Sequence, residues 1–218
     1  LYERCVDFYK LGARFAKWRA VITIGEGIPT DECIQANASV LAKYAKICQD
    51  ANLVPIVEPE VLMDGNHTIE TCYEVSEKTL RTTFNELEKE GVYLPGILLK
   101  PNMVISGKEC SVQADMNAVA QMTVKCLMAS VPEEVPGIVF LSGGQSETEA
   151  TEHLNAMNAM EDYPWKLSFS YGRALQQSAL NAWSGNNSNL KTTYAVFYHR
   201  AEMNSKACHG EYSPELEI

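Results

Sequence analysis

Lys100 closes a short apolar run, Ile97-Leu98-Leu99, and stands directly before Pro101. Because Pro95-Gly96 bounds the run upstream, the pattern predicts a short strand buried on both faces, with Lys100 at its C-terminal end. Partly apolar surroundings would lower the pKa of this ammonium from its reference of about 10.4 and make a neutral amine accessible. Such an amine can form a Schiff base with a carbonyl substrate. The alternative is a lysine that merely ends a strand and reaches into water.

Two carboxylates end another apolar segment, in the sequence Val57-Glu58-Pro59-Glu60. Because side chains alternate along a strand, Glu58 and Glu60 share one face and can approach one cavity. Neighbouring carboxylates push one another's pKa apart, so that one can hold a proton near neutral pH and serve as a general acid or base. An acidic loop at a strand end is the alternative interpretation.

Two cations, Lys17 and Arg19, lie in the segment 12–22, which reads as a turn and then a strand. Both share a face with Phe15, and Trp18 points to the opposite face. Cations on an inner face are costly unless they meet an anion. We expect that anion to be a phosphorylated or carboxylated substrate, and two solvated charges at a strand end are the alternative.

Two loops are candidates for binding phosphate. Ser142-Gly143-Gly144 lies between an apolar strand pattern and a helix start, where bare backbone N–H groups suit a phosphate, although tight turns use glycine for other reasons too. The loop after the next strand supplies Ser170, Gly172 and Arg173. The planar guanidinium of Arg173 suits phosphate, and barrels often bind phosphate in the loops after their last two strands.

The elements that position these residues alternate along the chain. Five strand patterns alternate with seven amphipathic helix patterns. One helix pattern precedes the first strand, and a helix pattern follows each strand. The helix patterns run over 1–10, 30–49, 68–89, 113–130, 175–183 and 190–208, and one more runs from the glycine pair at 143–144 to about 160. Strict alternation of strands and helices implies a parallel sheet with helices outside it. His153 is expected to be a surface or packing histidine, and the polar segment 210–218 is expected to be mobile.

Composition narrows the function classes. With 218 residues, 46% of them hydrophobic, the chain is expected to form one domain. The net charge of −10 excludes sequence-independent binding of nucleic acid, which needs clustered basic residues. Since no apolar stretch approaches the ~20 residues of a membrane span, we expect a soluble cytoplasmic protein. The seven scattered cysteines are expected to be reduced thiols, without disulfide or metal roles.

Five motifs, taken together and in this order, closely resemble class I fructose-1,6-bisphosphate aldolases. They are Phe15-Ala16-Lys17-Trp18-Arg19, Pro55-Ile56-Val57-Glu58-Pro59-Glu60, Leu98-Leu99-Lys100-Pro101-Asn102-Met103, Phe140-Leu141-Ser142-Gly143-Gly144-Gln145-Ser146 and Ser168-Phe169-Ser170-Tyr171-Gly172-Arg173. The resemblance runs through essentially the whole chain. It implies a TIM (β/α)8 barrel, of which residues 1–218 supply about the last five βα units as a single domain lacking the N-terminal strands.

The resemblance also implies an activity and a set of roles. The family cleaves fructose 1,6-bisphosphate reversibly into dihydroxyacetone phosphate and glyceraldehyde 3-phosphate, in glycolysis and gluconeogenesis. Lys100 matches the lysine that forms the iminium, and Glu58 matches the glutamate that shuttles protons. Lys17 matches a lysine that stabilises developing charge, with Glu60 in the surrounding network.

Substrate contacts, cofactor needs and assembly follow from the same resemblance. The residues that match the C1-phosphate site are Ser142, Gly143, Gly144, Ser170, Gly172 and Arg173. Arg19 lies where the other end of the substrate is thought to pass. The resemblance implies neither metal nor cofactor, because the iminium performs the role that zinc has in class II aldolases. The expected partner is a phosphorylated sugar, and the expected assembly is a homo-oligomer, tetrameric in the family.

The chain also departs from the family. Family members have three further strands before the position of Leu1, and one carries the aspartate that acts as base at the cleaved bond. We therefore expect the isolated chain to be inactive, with an exposed edge strand liable to aggregate. The short ending resembles bacterial members. Two alternatives stay open: a non-catalytic aldolase-like fragment, or another lysine-Schiff-base barrel, such as a transaldolase or a dihydrodipicolinate synthase. The two phosphate-type loops argue against a substrate that carries only carboxylates.

Overall fold

A computed structural model describes residues 1–160 and 163–217. Within them lie five strands: β1 (Phe15–Ile22), β2 (Val54–Val61), β3 (Leu98–Leu99), β4 (Gly137–Phe140) and β5 (Lys166–Phe169). The α-helices are α1 (Tyr2–Lys10), α2 (Asp31–Asp50), α3 (Ile69–Lys89), α4 (Met116–Ser130), α5 (Glu147–Asn158), α6 (Arg173–Trp183) and α7 (Leu190–Ala207). Among the described residues, no helix is both long enough and apolar enough to cross a lipid bilayer.

The strands form one sheet in the order β1-β2-β3-β4-β5, and every neighbouring pair is parallel. Each strand is followed by a helix, so the predicted α/β alternation is confirmed. Because all strands run in the same direction, their C-terminal ends meet at one edge of the sheet, where α/β proteins place their binding sites. The position of these units as the last five of an eight-stranded barrel stays a prediction.

Side-chain hydroxyls set the starts of three helices. Thr30 accepts a hydrogen bond from the backbone N–H of Cys33 at the start of α2, and Thr68 does the same for α3. At α5, Ser146 and Glu149 form a capping box, each side chain bonding the other's backbone N–H. This cap starts α5 directly after the Ser142-Gly143-Gly144 turn.

The two faces of the sheet differ in polarity. On the helix-covered face, Trp18 packs against Tyr44 of α2 with ring centroids 5.9 Å apart, and Val57 and Leu99 are fully buried. On the other face, the alternation of side chains places five charged residues from three adjacent strands or their ends: Lys17, Arg19, Glu58, Glu60 and Lys100. The sheet therefore separates a hydrophobic core from a charged surface.

Sequence analysis treated His153 and the seven cysteines as structural groups. His153 packs on α5, where its Nδ1 lies 2.6 Å from the side-chain oxygen of Gln145. All seven cysteines are free thiols, as predicted. Burial raises the pKa of Cys48 and of Cys126 to about 12. These two thiols are therefore packing groups rather than nucleophiles.

The C-terminal segment packs on the domain, which corrects the prediction that residues 210–218 are mobile. Tyr212 is 6% exposed, and its N–H donates to the side-chain oxygen of Asn155 on α5 at 2.9 Å. Glu217 pairs with the buried Arg200 of α7. The prediction was wrong because it rested on the polar composition of the segment alone. It did not take into account the burial of Tyr212 or the ion pair between Glu217 and Arg200. Residue 218 lies outside the described residues.

Candidate active site

Lys100 stands at the C-terminal end of β3, as predicted, although the strand itself spans only two residues. Its N–H donates to the carbonyl of Val57 on β2 at 2.8 Å, and the next carbonyl, of Pro101, accepts from Leu141 beyond β4 at 3.2 Å. The backbone is thus bonded to both neighbouring strands around the lysine. The Lys100 side chain is 12% exposed, so its amine lies within the protein and still reaches solvent.

Glu58 joins the two lysines of the site. One carboxylate oxygen lies 3.1 Å from Nζ of Lys100, and the other lies 2.8 Å from Nζ of Lys17. The Glu58 side chain is 4% exposed, so a buried carboxylate with two cations is stabilised by their opposite charges. The arrangement gives the Lys100 amine an acceptor for its proton within direct transfer distance.

The second glutamate is paired separately. Glu60 accepts a hydrogen bond from Nε of Arg19, and this bond raises the pKa of Arg19 further above its ordinary value. The sequence predicted a substrate anion as the partner of Lys17 and Arg19. In the structure the partners are the protein's own carboxylates. The parallel register of β1 and β2 sets Lys17 opposite Ile56 and Arg19 opposite Glu58, and each cation pairs with the glutamate two residues further along β2. The two glutamates therefore contact different cations.

A cavity of about 740 Å³ opens over this edge of the sheet. Nine of the eleven residues predicted for the site line it: Arg19, Glu60, Lys100, Ser142, Gly143, Gly144, Ser170, Gly172 and Arg173. Of the remaining two, Glu58 pairs with Lys100 on the cavity wall, and Lys17 pairs in turn with Glu58. The structure therefore brings the predicted residues together around one space, and their individual roles stay predictions.

The glycine pair has little room for side chains. The N–H of Gln145 donates to the carbonyl of Ser142 at 3.2 Å and closes a turn in which Gly144 has a φ of +80°. A Cβ at Gly143 or at Gly144 would lie 2.3 Å from the side chain of Met63. The loop after β2 therefore packs directly against the backbone of this turn, which brings bare peptide groups to the cavity wall.

The second loop begins where β5 ends. The N–H of Ser170 donates to the carbonyl of Phe140 on β4 at 2.9 Å, which ties this loop to the preceding strand. Gly172 precedes α6, and the space around it is open on the side where a Cβ would point. Arg173 is the first residue of α6 and is exposed toward solvent. Among residues 1–160 and 163–217 its guanidinium has no hydrogen bond or ion pair, so it can meet an anion beside the positive end of the helix dipole.

Sequence analysis missed part of the cavity wall. Lys108, Gln145, Ser146, Glu147, Gln177, Ser178 and Asn181 also line it. Lys108 is paired with Asp64 at 3.1 Å, and its N–H donates to the carbonyl of Met63 at 2.9 Å. No local sequence pattern predicts that the loop with Gly65 pairs with the loop that holds Gly107 and Lys108.

A buried asparagine next to the lysine strand was also missed. Asn102 is 7% exposed; its Oδ1 accepts from the N–H of Val61 at 2.9 Å, and its Nδ2 donates to Ser76 at 3.1 Å. These bonds join the chain after β3 to the end of β2 and to α3. They therefore fix the strand that carries the glutamates relative to the strand that carries Lys100.

Together, the parallel sheet, its external helices and the cavity at the C-terminal strand ends define an α/β protein whose site lies where α/β barrels place theirs. The family model described as fructose-bisphosphate aldolase class-I matches residues 1–217. The chain therefore belongs to the class I fructose-bisphosphate aldolase family.

Individual relatives agree with this assignment. A probable fructose-bisphosphate aldolase class 1 of Xanthomonas campestris is 54% identical over 213 residues, covering 97% of this chain and 64% of the relative. A fructose-bisphosphate aldolase of Dictyostelium discoideum is 51% identical over 217 residues, covering 99% of this chain and 61% of the relative. The chain thus spans less than two thirds of the length of these relatives.

A solved structure is similar to the chain throughout. Fructose-bisphosphate aldolase from Plasmodium falciparum, crystallised as a ternary complex with TRAP and a small-molecule inhibitor, superposes with a TM-score of 0.96 at 52% identity. The match covers 97% of this chain and 62% of that protein.

Proposed function

We propose that this chain carries the Schiff-base site of a class I fructose-1,6-bisphosphate aldolase. The reaction is the reversible cleavage of fructose 1,6-bisphosphate into dihydroxyacetone phosphate and glyceraldehyde 3-phosphate. One observation carries the proposal: Glu58 contacts both Lys100 and Lys17, and Lys100 opens into the cavity that holds the two phosphate-type loops. A carbonyl compound that carries phosphate is the substrate that this combination suits.

The first steps need only Lys100 and Glu58. The neutral amine of Lys100 attacks the C2 carbonyl of the ketose, and the carbonyl oxygen takes up a proton to give a carbinolamine. Glu58, 3.1 Å from the amine, accepts the proton released by nitrogen and then donates a proton to the carbinolamine hydroxyl. Water leaves and an iminium remains. Lys17, 2.8 Å from the other oxygen of Glu58, holds this carboxylate in place beside the amine.

Cleavage uses the iminium as an electron sink. The bond between C3 and C4 breaks, its electron pair moves to the iminium nitrogen through an enamine, and the aldehyde product departs. The C4 hydroxyl proton must go to a base, and the family resemblance assigns that base to an aspartate on a strand outside this chain. Glu60 and Arg19, paired on the cavity wall, add to the polar surroundings of the reacting carbons.

The phosphate groups orient the substrate. We assign the C1-phosphate to the residues of the two loops: Ser142, Gly143, Gly144, Ser170, Gly172 and Arg173. The bare peptide groups of the glycine turn and the guanidinium of Arg173 face one cavity, which favours an anion there. We assign the other end of the substrate to the side of Arg19. This placement keeps C2 near Lys100.

Class I aldolases use the lysine Schiff base and need no metal, so we propose no cofactor. A glycolytic role, a cytoplasmic location and a tetrameric assembly stay predictions from the family resemblance. Membership of the aldolase family favours this reading over a transaldolase or a dihydrodipicolinate synthase. A non-catalytic aldolase-like chain is the remaining alternative.

Cleavage of fructose 1,6-bisphosphate by a chimera tests the proposal. In the chimera, this chain replaces the 213-residue matching region of the Xanthomonas campestris relative, which supplies the remainder of the relative's length. We expect cleavage by the chimera, and its loss by at least about a thousandfold in Lys100→Met, because no other amine can take the place of the nucleophile. Lys125→Met, on the outer helix α4, is the matched control. A folded chimera that does not cleave, or a Lys100→Met variant that does, would overturn the proposal.

A further inference from the structure

A carboxylate lies on the wall of the cavity that is proposed to bind phosphate. Glu147 lines this cavity together with the glycine turn and Arg173. A free carboxylate at this place would repel a phosphate, since like charges within a few ångströms raise each other's energy. Its presence therefore calls for a structural reason.

Both oxygens of Glu147 are bonded to a single residue. Oε1 accepts the backbone N–H of Ser178 at 3.0 Å, and Oε2 accepts the hydroxyl of the same serine. Hydrogen bonds to a charged acceptor are stronger than neutral ones, and two of them also fix an orientation. The carboxylate is therefore occupied by α6 rather than presented to the cavity.

The two bonded residues lie close in sequence to the two phosphate-type loops. Glu147 is the first residue of α5, three positions after Gly144, and Ser178 lies five positions after Arg173 on α6. Each helix therefore begins with one half of the proposed phosphate site. The bonds between Glu147 and Ser178 join the first turn of one helix to the second turn of the other.

The Glu147 end of this connection is anchored from behind. The carbonyl oxygen of Glu147 accepts from the hydroxyl of Thr151 at 2.8 Å and from Nη2 of Arg200 at 3.1 Å. Arg200 is 4% exposed, also donates to Thr151, and belongs to α7. These bonds hold the first turn of α5 in place. The two hydrogen bonds from Ser178 to Glu147, called the clamp below, tie α6 to that turn.

We propose that Glu147 is a positioning residue for the phosphate site: its two bonds to Ser178 set the distance between the Ser142-Gly143-Gly144 turn and Arg173. This inference rests on the proposed function of the cavity. It predicts that loss of the clamp weakens phosphate binding, because the two half-sites no longer meet one anion. A carboxylate that acted only as a charge on the wall would give the opposite sign, since its removal would tighten phosphate binding.

The test measures the Kd of the chimera for inorganic phosphate, and its KM and kcat for fructose 1,6-bisphosphate. We expect Glu147→Ala to raise both Kd and KM about tenfold and to change kcat less than about threefold. Glu147→Gln should raise them by no more than about threefold, because its amide can accept from the N–H and donate to the hydroxyl of Ser178. Ser178→Ala, which keeps the N–H, should be intermediate.

A double variant and a control complete the test. Ser178→Ala should have no further effect in the Glu147→Ala background, because the interaction is already lost. Asn155→Ala removes the acceptor of the Tyr212 N–H on the same helix without touching Glu147 or Ser178, so it should lower Tm and leave Kd for phosphate unchanged.

Three results would overturn the inference: tighter phosphate binding in Glu147→Ala, additive effects in the double variant, or an equal loss of phosphate binding in Asn155→Ala. If the chimera binds phosphate as expected but does not cleave sugar, the clamp stands and the proposed function fails.

Discussion

Alanine substitution of Gly143 and of Gly144, in the Ser142-Gly143-Gly144 turn, is expected to affect phosphate binding for two different reasons. Truncation of Met63 distinguishes the two. At Gly143, the new methyl group would meet the terminal Cε of Met63 at 2.3 Å, and the next contact is Leu141 Cδ1 at 3.2 Å. At Gly144, it would meet Cγ of Met63 at 2.3 Å and its Cβ at 3.0 Å, in a backbone with φ of +80°.

The magnitudes follow from these contacts. The end of a methionine side chain is flexible, so Gly143→Ala should cost about 1 kcal/mol, at the low end of overpacking effects. At Gly144 the contact lies near the root of the side chain, which cannot swing away, so overpacking costs roughly 2 kcal/mol. The left-handed backbone adds about 1–2 kcal/mol for any residue other than glycine. Gly144→Ala should therefore displace the turn and weaken phosphate binding at least about tenfold.

Truncation of Met63 tells the two causes apart. The variants of the chimera are titrated calorimetrically with inorganic phosphate. Adding Met63→Ala to Gly143→Ala should restore the affinity for phosphate, because the clash is then removed. The affinity of Gly144→Ala should stay low, because the backbone strain persists. The single Met63→Ala variant supplies the reference for both. Equal rescue of the two alanine variants, or wild-type phosphate binding by Gly144→Ala, would refute this account of the turn.

Three further predictions address the rest of the site and its frame. Glu58→Gln should slow imine formation by about 10²- to 10⁴-fold, seen in the time course of borohydride-trapped adduct, and an unchanged rate would contradict its proton-transfer role. Asn102→Leu should lower the free energy of unfolding by about 1–3 kcal/mol in urea titrations, because the buried N–H of Val61 loses its acceptor. An effect below about 0.5 kcal/mol would contradict this prediction, since water would then replace the side chain of Asn102 as the acceptor. Burial lowers the pKa of His67, so the unfolded chain binds more protons and stability should fall as pH drops below about 6.5. His67→Gln should flatten that pH dependence in urea titrations between about pH 5 and 6.5, and equal slopes in both proteins would contradict it.

Patterns local in sequence predicted much of this fold. The periodic patterns predicted helix starts near residues 30 and 68, and the apolar run before Lys100 placed that lysine at a strand end. The strand alternation also put Lys17 and Arg19 on one face of their strand and Glu58 and Glu60 on one face of theirs, because period-two patterns are independent of the partner strand. Such features depend only on neighbours within a few residues, so they can be predicted from the sequence.

The missed features depend on contacts between distant segments. The pairing of Arg19 with Glu60 requires the register of β1 against β2, which the sequence of either strand leaves open. Lys108 reaches the cavity only because its loop pairs with the loop after β2. Glu147 reads in sequence as an acidic residue in a first helical turn, and only the approach of α6 gives it a partner.

Covalent trapping tests the central claim most directly. The chimera and the 218-residue chain are incubated with dihydroxyacetone phosphate and borohydride, and the added mass is located by peptide mapping. The account predicts a reduced adduct on Lys100 of the chimera and none on Lys108, the other lysine of the cavity wall. A folded chimera with an unmodified Lys100, or with the adduct on Lys108, would contradict the Schiff-base assignment.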